Sequence, residues 1–300
     1  MKNKKILLIG GNGYIGSRLY DYLLEKKYQV TNVDSCWYKN LYPETIVEDF
    51  DNLSEKFLSN YTHIILLAGH STVSMCEESL TDPFENNVVK YIKLIEKLNH
   101  NQTLLYSSSA AIYGHNDELV DENYKLNQPV NFYDYTKLCN EQIAYLYPEK
   151  KLIGLRFGSV GGFSKNFRFE NLLNSIAVNA TFNKKINISN PNNMRSVLGL
   201  NDLCRSIEVL INQENFKNKI YNLTSINLKI IEFGEKIKKL TGCELIIENK
   251  ITTNYSFNCS NKLFETDYNF KFNDSVNTIY NDIIDNYDKI VINVRRTKRK

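Results

Sequence analysis

The 300-residue sequence has no apolar run approaching the length needed to cross a membrane. Its first residues set three lysines before Ile6-Leu7-Leu8-Ile9-Gly10, the order of a secretory leader. The apolar run stops too soon for a leader and reads instead as a buried strand. Cysteine pattern is also missing. Cys36, Cys76, Cys139, Cys204, Cys243 and Cys259 are scattered, with no C-x-x-C pair and no matching histidine spacing. That excludes the common zinc motifs, and no metal is expected. Unpatterned cysteines in a chain of this size suit a reducing compartment, so a cytoplasmic location is expected. Charge of one sign is lacking too: the formal net charge is +3, too small to imply nucleic acid as the main partner. The basic run Arg295-Arg296-Thr297-Lys298-Arg299-Lys300 reads as a solvated tail over 291–300. No internal repeat and no long low-complexity linker is present. What the chain does have is a 42% apolar fraction, enough for a real core.

Strand and helix patterns alternate along the first half. Ile6 to Ile9 is a short continuous apolar run, as a strand covered on both faces shows. A helical pattern follows from Tyr14 to Lys27, with Ile15, Leu19, Tyr22 and Leu23 on one side. Further strands are expected at Gln29 to Val33, His63 to Ala68, Gln102 to Ser107 and Lys151 to Arg156. Helices are expected from Pro83 to Leu98 and from Asn131 to Tyr147, the second ended by Pro148. This rhythm predicts an α/β fold: a Rossmann-type doubly wound parallel sheet, with ligands beyond the carboxyl ends of its strands. After Gly162 the rhythm breaks. The expected division is a nucleotide-binding domain over 1–162, rejoined by about 195–223, and a smaller discontinuous lobe from 163–194 and 224–290.

The turn between the first strand and first helix reads "IGGNGYIGS". Gly11, Gly13 and Gly16 satisfy G-x-G-x-x-G, and Gly10, Gly13 and Gly16 satisfy G-x-x-G-x-x-G. A tight turn and a close backbone approach to a pyrophosphate both need glycine, and the helix N-terminus supplies free N–H groups. A glycine-rich turn without a ligand would look similar. Here, however, the pattern follows a strand and opens a helix, and Asp34 stands about 20 residues on, at the end of the second strand. Asp34 would accept from ribose hydroxyls and repel a 2′-phosphate, which favours NAD over NADP.

A second constellation is Phe132-Tyr133-Asp134-Tyr135-Thr136-Lys137. On a helix, Tyr133 and Lys137 are i and i+4 and share a face, while Tyr135 points elsewhere. A phenol with a reference pKa of about 10 needs that value lowered by roughly 3 to act as a base near neutrality. A nearby ammonium favours the phenolate. A half-buried tyrosine and a surface lysine would show the same spacing. The run "YSSSAAIYG" from Tyr106 to Gly114 ends the preceding strand and could bring a hydroxyl to the same crevice.

With these residues the sequence resembles the extended short-chain dehydrogenase/reductases, the NAD-dependent epimerase/dehydratase group that modifies nucleotide sugars. Gly10, Gly13 and Gly16, with Tyr14 and Ile15 between them, and Asp34 match that family's NAD motif. Asp49 and Phe50 stand at its acidic-apolar pair beside the adenine. Leu67, Ala68 and Gly69 match its segment against the cofactor phosphates and ribose, and Asn87-Val88 its structural Asn-Val. Ser109, with Ser107 two residues before it, falls at the catalytic hydroxyl of S-S-S-A-x-x-Y-G. Tyr133 and Lys137 fall at Y-x-x-x-K. Arg195 and Asp202 resemble its R-x-x-x-x-x-x-D segment, and Tyr221-Asn222-Leu223 its late strand. Ser159 replaces a usual substrate-contacting Asn. Arg168-Phe169 and Asn174 resemble the R-F-x-x-x-x-N of one branch, which makes Asn174 a substitute candidate for holding a diphosphate.

The resemblance implies hydride transfer at a sugar carbon, usually C4, to NAD. Tyr133 would be the base, Ser109 would bond the same oxygen, and Lys137 would hold the nicotinamide ribose and depress the tyrosine pKa. Ser109, Ser159, Arg168, Asn174 and Arg195 would meet a nucleotide-diphosphate sugar. The family's dehydratases carry Thr-Asp-Glu where this chain has Ser109-Ala110-Ala111, which demotes 4,6-dehydration. An epimerase leads and a 4-dehydrogenase follows, with a non-catalytic NAD-binding sensor as the third possibility. The resemblance further implies a homodimer through helices near Ile92 and Ile143. His70 reads as a turn histidine in solvent.

Overall fold

The computed structural model describes residues 4–217, 219–248 and 255–290; the basic tail over 291–300 lies outside them. Seven parallel strands form the central sheet. Their order is Ile220–Leu223, Lys151–Phe157, Thr103–Ser109, His63–Leu66, Lys5–Ile9, Gln29–Asp34 and Ile46–Val47. The chain starts in the middle, builds outward to one edge, and returns to build toward the other. Lys5–Ile9 therefore pairs with both Gln29–Asp34 and His63–Leu66, and the crevice opens where strand order reverses.

Period-2 alternation explains the burial. Ile6, Leu8, Ile65, Leu105 and Ile153 face one core cluster, and Leu7, Ile9, Ile64, Leu104 and Leu152 face the other. All ten are at most 2% exposed, which is why these strands read as unbroken apolar runs. The first helix, Tyr14–Glu25, lies on the larger cluster beside Leu200–Ile211.

A second sheet orders Ile226–Lys229, Met194–Gly199, Phe257–Cys259 and Asn116–Val120, with Ser159–Gly161 paired to Met194–Gly199. It draws on segments both before and after Gly162. Of the late segments, Ile220–Leu223 rejoins the central sheet, whereas Met194–Gly199 joins the second. A third, two-stranded sheet pairs Lys185–Ile188 with Glu244–Ile247 in parallel. The helical pattern over 83–98 forms as consecutive pieces, Thr81–Phe84, a π-turn Glu85–Val89 and Lys90–Lys97. The helix Phe132–Tyr145 starts where Asn131 caps it, its side-chain oxygen accepting from Asp134 N at 2.9 Å.

Candidate active site

A cavity of about 480 Å³ lies at the carboxyl ends of the central strands, within the range of small-ligand pockets. One end is the glycine turn. The helix Tyr14–Glu25 begins at Gly13 with no side-chain cap for its first N–H groups, and Gly13, Tyr14, Ile15 and Gly16 line this end of the cavity. A Cβ at Gly16 would lie 2.0 Å from Gly10 O, so that glycine lets helix and strand approach each other. A Cβ at Gly13 would meet only Gly10 O, at 3.2 Å, and would otherwise project into open space. Asp34 is pinned by its own loop: Oδ2 accepts from Asn12 N at 2.8 Å and Oδ1 from Cys36 N at 2.7 Å. Burial pushes its carboxyl above the usual range, and those two bonds oppose the shift. An uncapped helix N-terminus, an open cradle at Gly13 and an acceptor at the second strand's end fit a dinucleotide.

Asp49, Phe50, Leu67, Ala68 and Gly69 line the same cavity. Asp49 caps a short 3₁₀ turn through Asp51 N and pairs with Lys90. Asn87 holds the following loop, accepting from His70 N at 2.8 Å and donating to His70 O and Thr136 Oγ1. His70 is thereby buried at 5% exposure, with Trp37 edge-on at 4.9 Å, not in solvent as the sequence suggests.

The other end holds the second constellation. Ser107, Ser109, Tyr133 and Lys137 all line the wall. Tyr135 is 45% exposed and stacks on Phe132. Lys137 is buried, and its Nζ donates to Ser107 O at 3.0 Å and Ser107 Oγ at 3.3 Å. It stands 5.7 Å from the centre of the Tyr133 ring. Ser109 Oγ accepts from Ala111 N at 3.2 Å.

The electrostatics correct one expectation. Burial, and not Lys137, sets the direction for Tyr133. Burial pushes the phenol up to about 12; the hydrogen bond with Ser109 opposes this, and the neighbouring Asp134 charge adds to it. Burial also pulls the Lys137 ammonium down to about 8. The lysine is turned toward Ser107, and burial weakens the positive form of the one group that was to favour the phenolate.

Ser159 and Arg195 enter the wall from two strands of the second sheet, and Arg168 from the segment that follows Ser159–Gly161. Arg168 Nη2 donates to Ser71 Oγ at 2.5 Å, across the cavity mouth. Arg195 is 9% exposed, lies 4.8 Å over the Phe257 ring and donates to Tyr255 O at 2.7 Å. Burial lowers its pKa to about 10, and no carboxylate of the described residues pairs with it. Asn174 is a correction. It is fully buried, accepts from Gly162 N at 3.0 Å and donates to Tyr14 Oη and Arg168 O. Its two N–H donors and its oxygen are all engaged by the protein, so it shapes the strap carrying Arg168 and does not line the cavity.

Two contributors, Glu141 and Tyr255, belong to no motif read in the sequence. Glu141 makes a bidentate pair with Arg156, Oε1 to Nε at 2.9 Å and Oε2 to Nη2 at 2.7 Å, and accepts from Ser108 Oγ at 2.5 Å. That network clamps the serine strand to the tyrosine helix. Its i+4 spacing from Lys137 could have flagged Glu141. Tyr255 lines the cavity from a segment without a motif.

The Rossmann-type sheet and the glycine turn at its switch point define a dinucleotide-binding α/β protein. The chain belongs to the NAD dependent epimerase/dehydratase family, whose model matches residues 6–224. It is 25% identical over 288 residues to Protein CapI of Staphylococcus aureus, covering 80% of this chain and 84% of that one. A UDP-glucose 4-epimerase of Streptococcus mutans is 31% identical over 176 residues, 52% of each chain. The solved UDP-glucose 4-epimerase of Thermus thermophilus, in complex with NAD, shares the fold at a TM-score of 0.81 and 17% identity, covering 96% of this chain and 100% of that one. Among the described residues no helix is long and apolar enough to cross a membrane, and no cluster of His, Cys, Asp or Glu could hold a metal ion.

Proposed function

We propose that the protein is an NAD-dependent nucleotide-sugar epimerase that transiently oxidises C4 of the sugar. One observation carries this reading: Ser109, Tyr133 and Lys137 line the same cavity as the uncapped glycine turn and Asp34. When bound, NAD supplies the hydride acceptor and donor. The residues of this chain handle the proton and the charge. Tyr133 takes the proton of the C4 hydroxyl as general base and returns it to the carbonyl oxygen on the way back. Ser109 donates to the same oxygen and holds it in place. Lys137 offers its ammonium to ribose hydroxyls. Arg195, buried without a carboxylate partner among the described residues, suits a diphosphate, with Arg168 and Ser159 beside the sugar.

Burial holds the Tyr133 phenol up to about 12, so its role as a base relies on positive charge beside it, which Lys137 and a bound nicotinamide would supply. Ala111 presents only a methyl beside Ser109, which supports an isomerase over a dehydratase.

The test is to incubate the protein and NAD with UDP-, GDP-, CDP- and dTDP-sugars, following NADH absorbance and product stereochemistry. The expected result is a C4-inverted sugar with no net NADH. Stoichiometric NADH with release of a keto-sugar would replace epimerisation by dehydrogenation. No conversion of any sugar would sink the catalytic reading.

A further inference from the structure

Asp134 follows Tyr133 directly and is 0% exposed. Its Oδ2 accepts from Tyr255 Oη at 2.7 Å and from Asn131 Nδ2 at 2.9 Å, while Oδ1 is buried without a hydrogen-bond partner among the described residues. No lysine or arginine of the described residues pairs with it. A buried carboxylate without a cation is costly, and the helix N-terminus offsets only part of the cost. Helix capping does not require it, because Asn131 already caps through its own side chain. What the carboxylate adds is reach. Tyr255 lies 121 positions away, in the segment leading into Phe257–Cys259 of the second sheet.

Tyr255 faces both ways. Its hydroxyl meets the tyrosine helix, and its carbonyl accepts from Arg195 Nη2 at 2.7 Å. The next two residues hold the same arginine's strand. Ser256 Oγ accepts from Met194 N at 2.8 Å, and Phe257 pairs in register with Arg195 and lies under its guanidinium. Tyr255 and Arg195 both line the cavity. A single phenol thus joins the helix carrying Tyr133 and Lys137 to the wall carrying Arg195.

We propose that Asp134 and Tyr255 form a positioning latch that registers Arg195, and with it the substrate diphosphate, against the catalytic helix. Neither residue touches the reacting atoms. The latch rests on the nucleotide-sugar reading and deepens it, since it says how the two lobes of the site are held at a fixed separation.

The experiment titrates UDP, GDP, CDP and dTDP into the full-length protein with NAD present, by calorimetry, and measures KM and kcat on the preferred sugar. Tyr255→Phe keeps the ring and removes one hydroxyl, so it should fold. It is expected to weaken nucleotide binding and raise KM roughly tenfold, the value of one well-placed hydrogen bond, with kcat and NAD binding changed less than about threefold. Asp134→Ala should match it, and Asp134→Asn, which keeps an acceptor oxygen, should restore most of the loss. Combining Tyr255→Phe with Arg195→Ala should be no worse than Arg195→Ala alone, because the latch acts through the arginine. Wild-type binding in Tyr255→Phe, or additivity with Arg195→Ala, would overturn the latch and leave the epimerase reading standing. Failure of the wild-type protein to bind any of the four nucleotides would overturn both.

Discussion

Gly13 and Gly16 are glycines for different reasons, and the difference can be measured. Gly13 has ordinary extended backbone angles, φ −72° and ψ 175°. An alanine there meets a single atom, Gly10 O at 3.2 Å, which must yield by a few tenths of an ångström. The small clash is offset by the 0.4–1 kcal/mol, roughly, that an alanine gains by restricting the unfolded chain. Gly13→Ala should therefore change stability by less than about 1 kcal/mol. Its methyl nonetheless projects where a pyrophosphate must approach the helix N-terminus, and NAD affinity should fall about 100-fold or more. Gly16→Ala is the contrast. Its methyl would sit 2.0 Å from Gly10 O and 2.8 Å from Gly10 C, so the helix must move off the strand. That overpacking costs roughly 1–3 kcal/mol, and cofactor binding falls along with stability. Chemical denaturation without ligand, paired with NAD titration by calorimetry, separates the two. A stable Gly13→Ala protein that binds NAD like the wild type would refute the assignment of this turn to the cofactor.

Two further outcomes follow from the buried charges. Lys137 has its pKa drawn down to about 8, so between pH 8 and 10 the native state sheds a proton that the unfolded chain keeps. The stability this group contributes is present above its unfolded pKa and lost as pH falls through 8. Lys137→Met should accordingly be more stable than the wild type at pH 6, by about 3 kcal/mol, with the gap closing above pH 10, although activity is lost. A gap independent of pH in urea denaturation would contradict this. Glu141→Ala strands Arg156 at 5% exposure without its carboxylate and should destabilise by about 3–5 kcal/mol. A change below about 1 kcal/mol would show that the clamp on the serine strand is dispensable.

Much of the nucleotide-binding half was legible because its signals are local. Ile6 to Ile9 is too short an apolar run for a leader and reads as a strand covered on both faces, and a strand, a glycine turn, a helix and Asp34 in succession point to a crevice. The spacing from Tyr133 to Lys137 chose one tyrosine of two, and the structure places Tyr135 on the outside. What stayed hidden depends on long-range packing. Nothing in the sequence near Asn116–Val120 says that this short, largely exposed strand pairs with Phe257–Cys259. Asn174 has the right neighbours for a ligand contact, but three protein groups take its amide first. Spacing can bring Lys137 near Tyr133, but it cannot weigh burial against charge, and burial decides the direction of the tyrosine's shift. Tyr255 belongs to no motif, since its role arises only when two lobes meet.

The most direct test of the account is Tyr133→Phe, assayed with NAD on whichever nucleotide sugar the wild-type protein converts. The substitution removes one hydroxyl from the cavity wall and leaves the ring. The account predicts that NAD and nucleotide binding stay within about threefold while kcat falls by 10³ or more, roughly the contribution of a positioned acid–base group. Turnover equal to the wild type would contradict it.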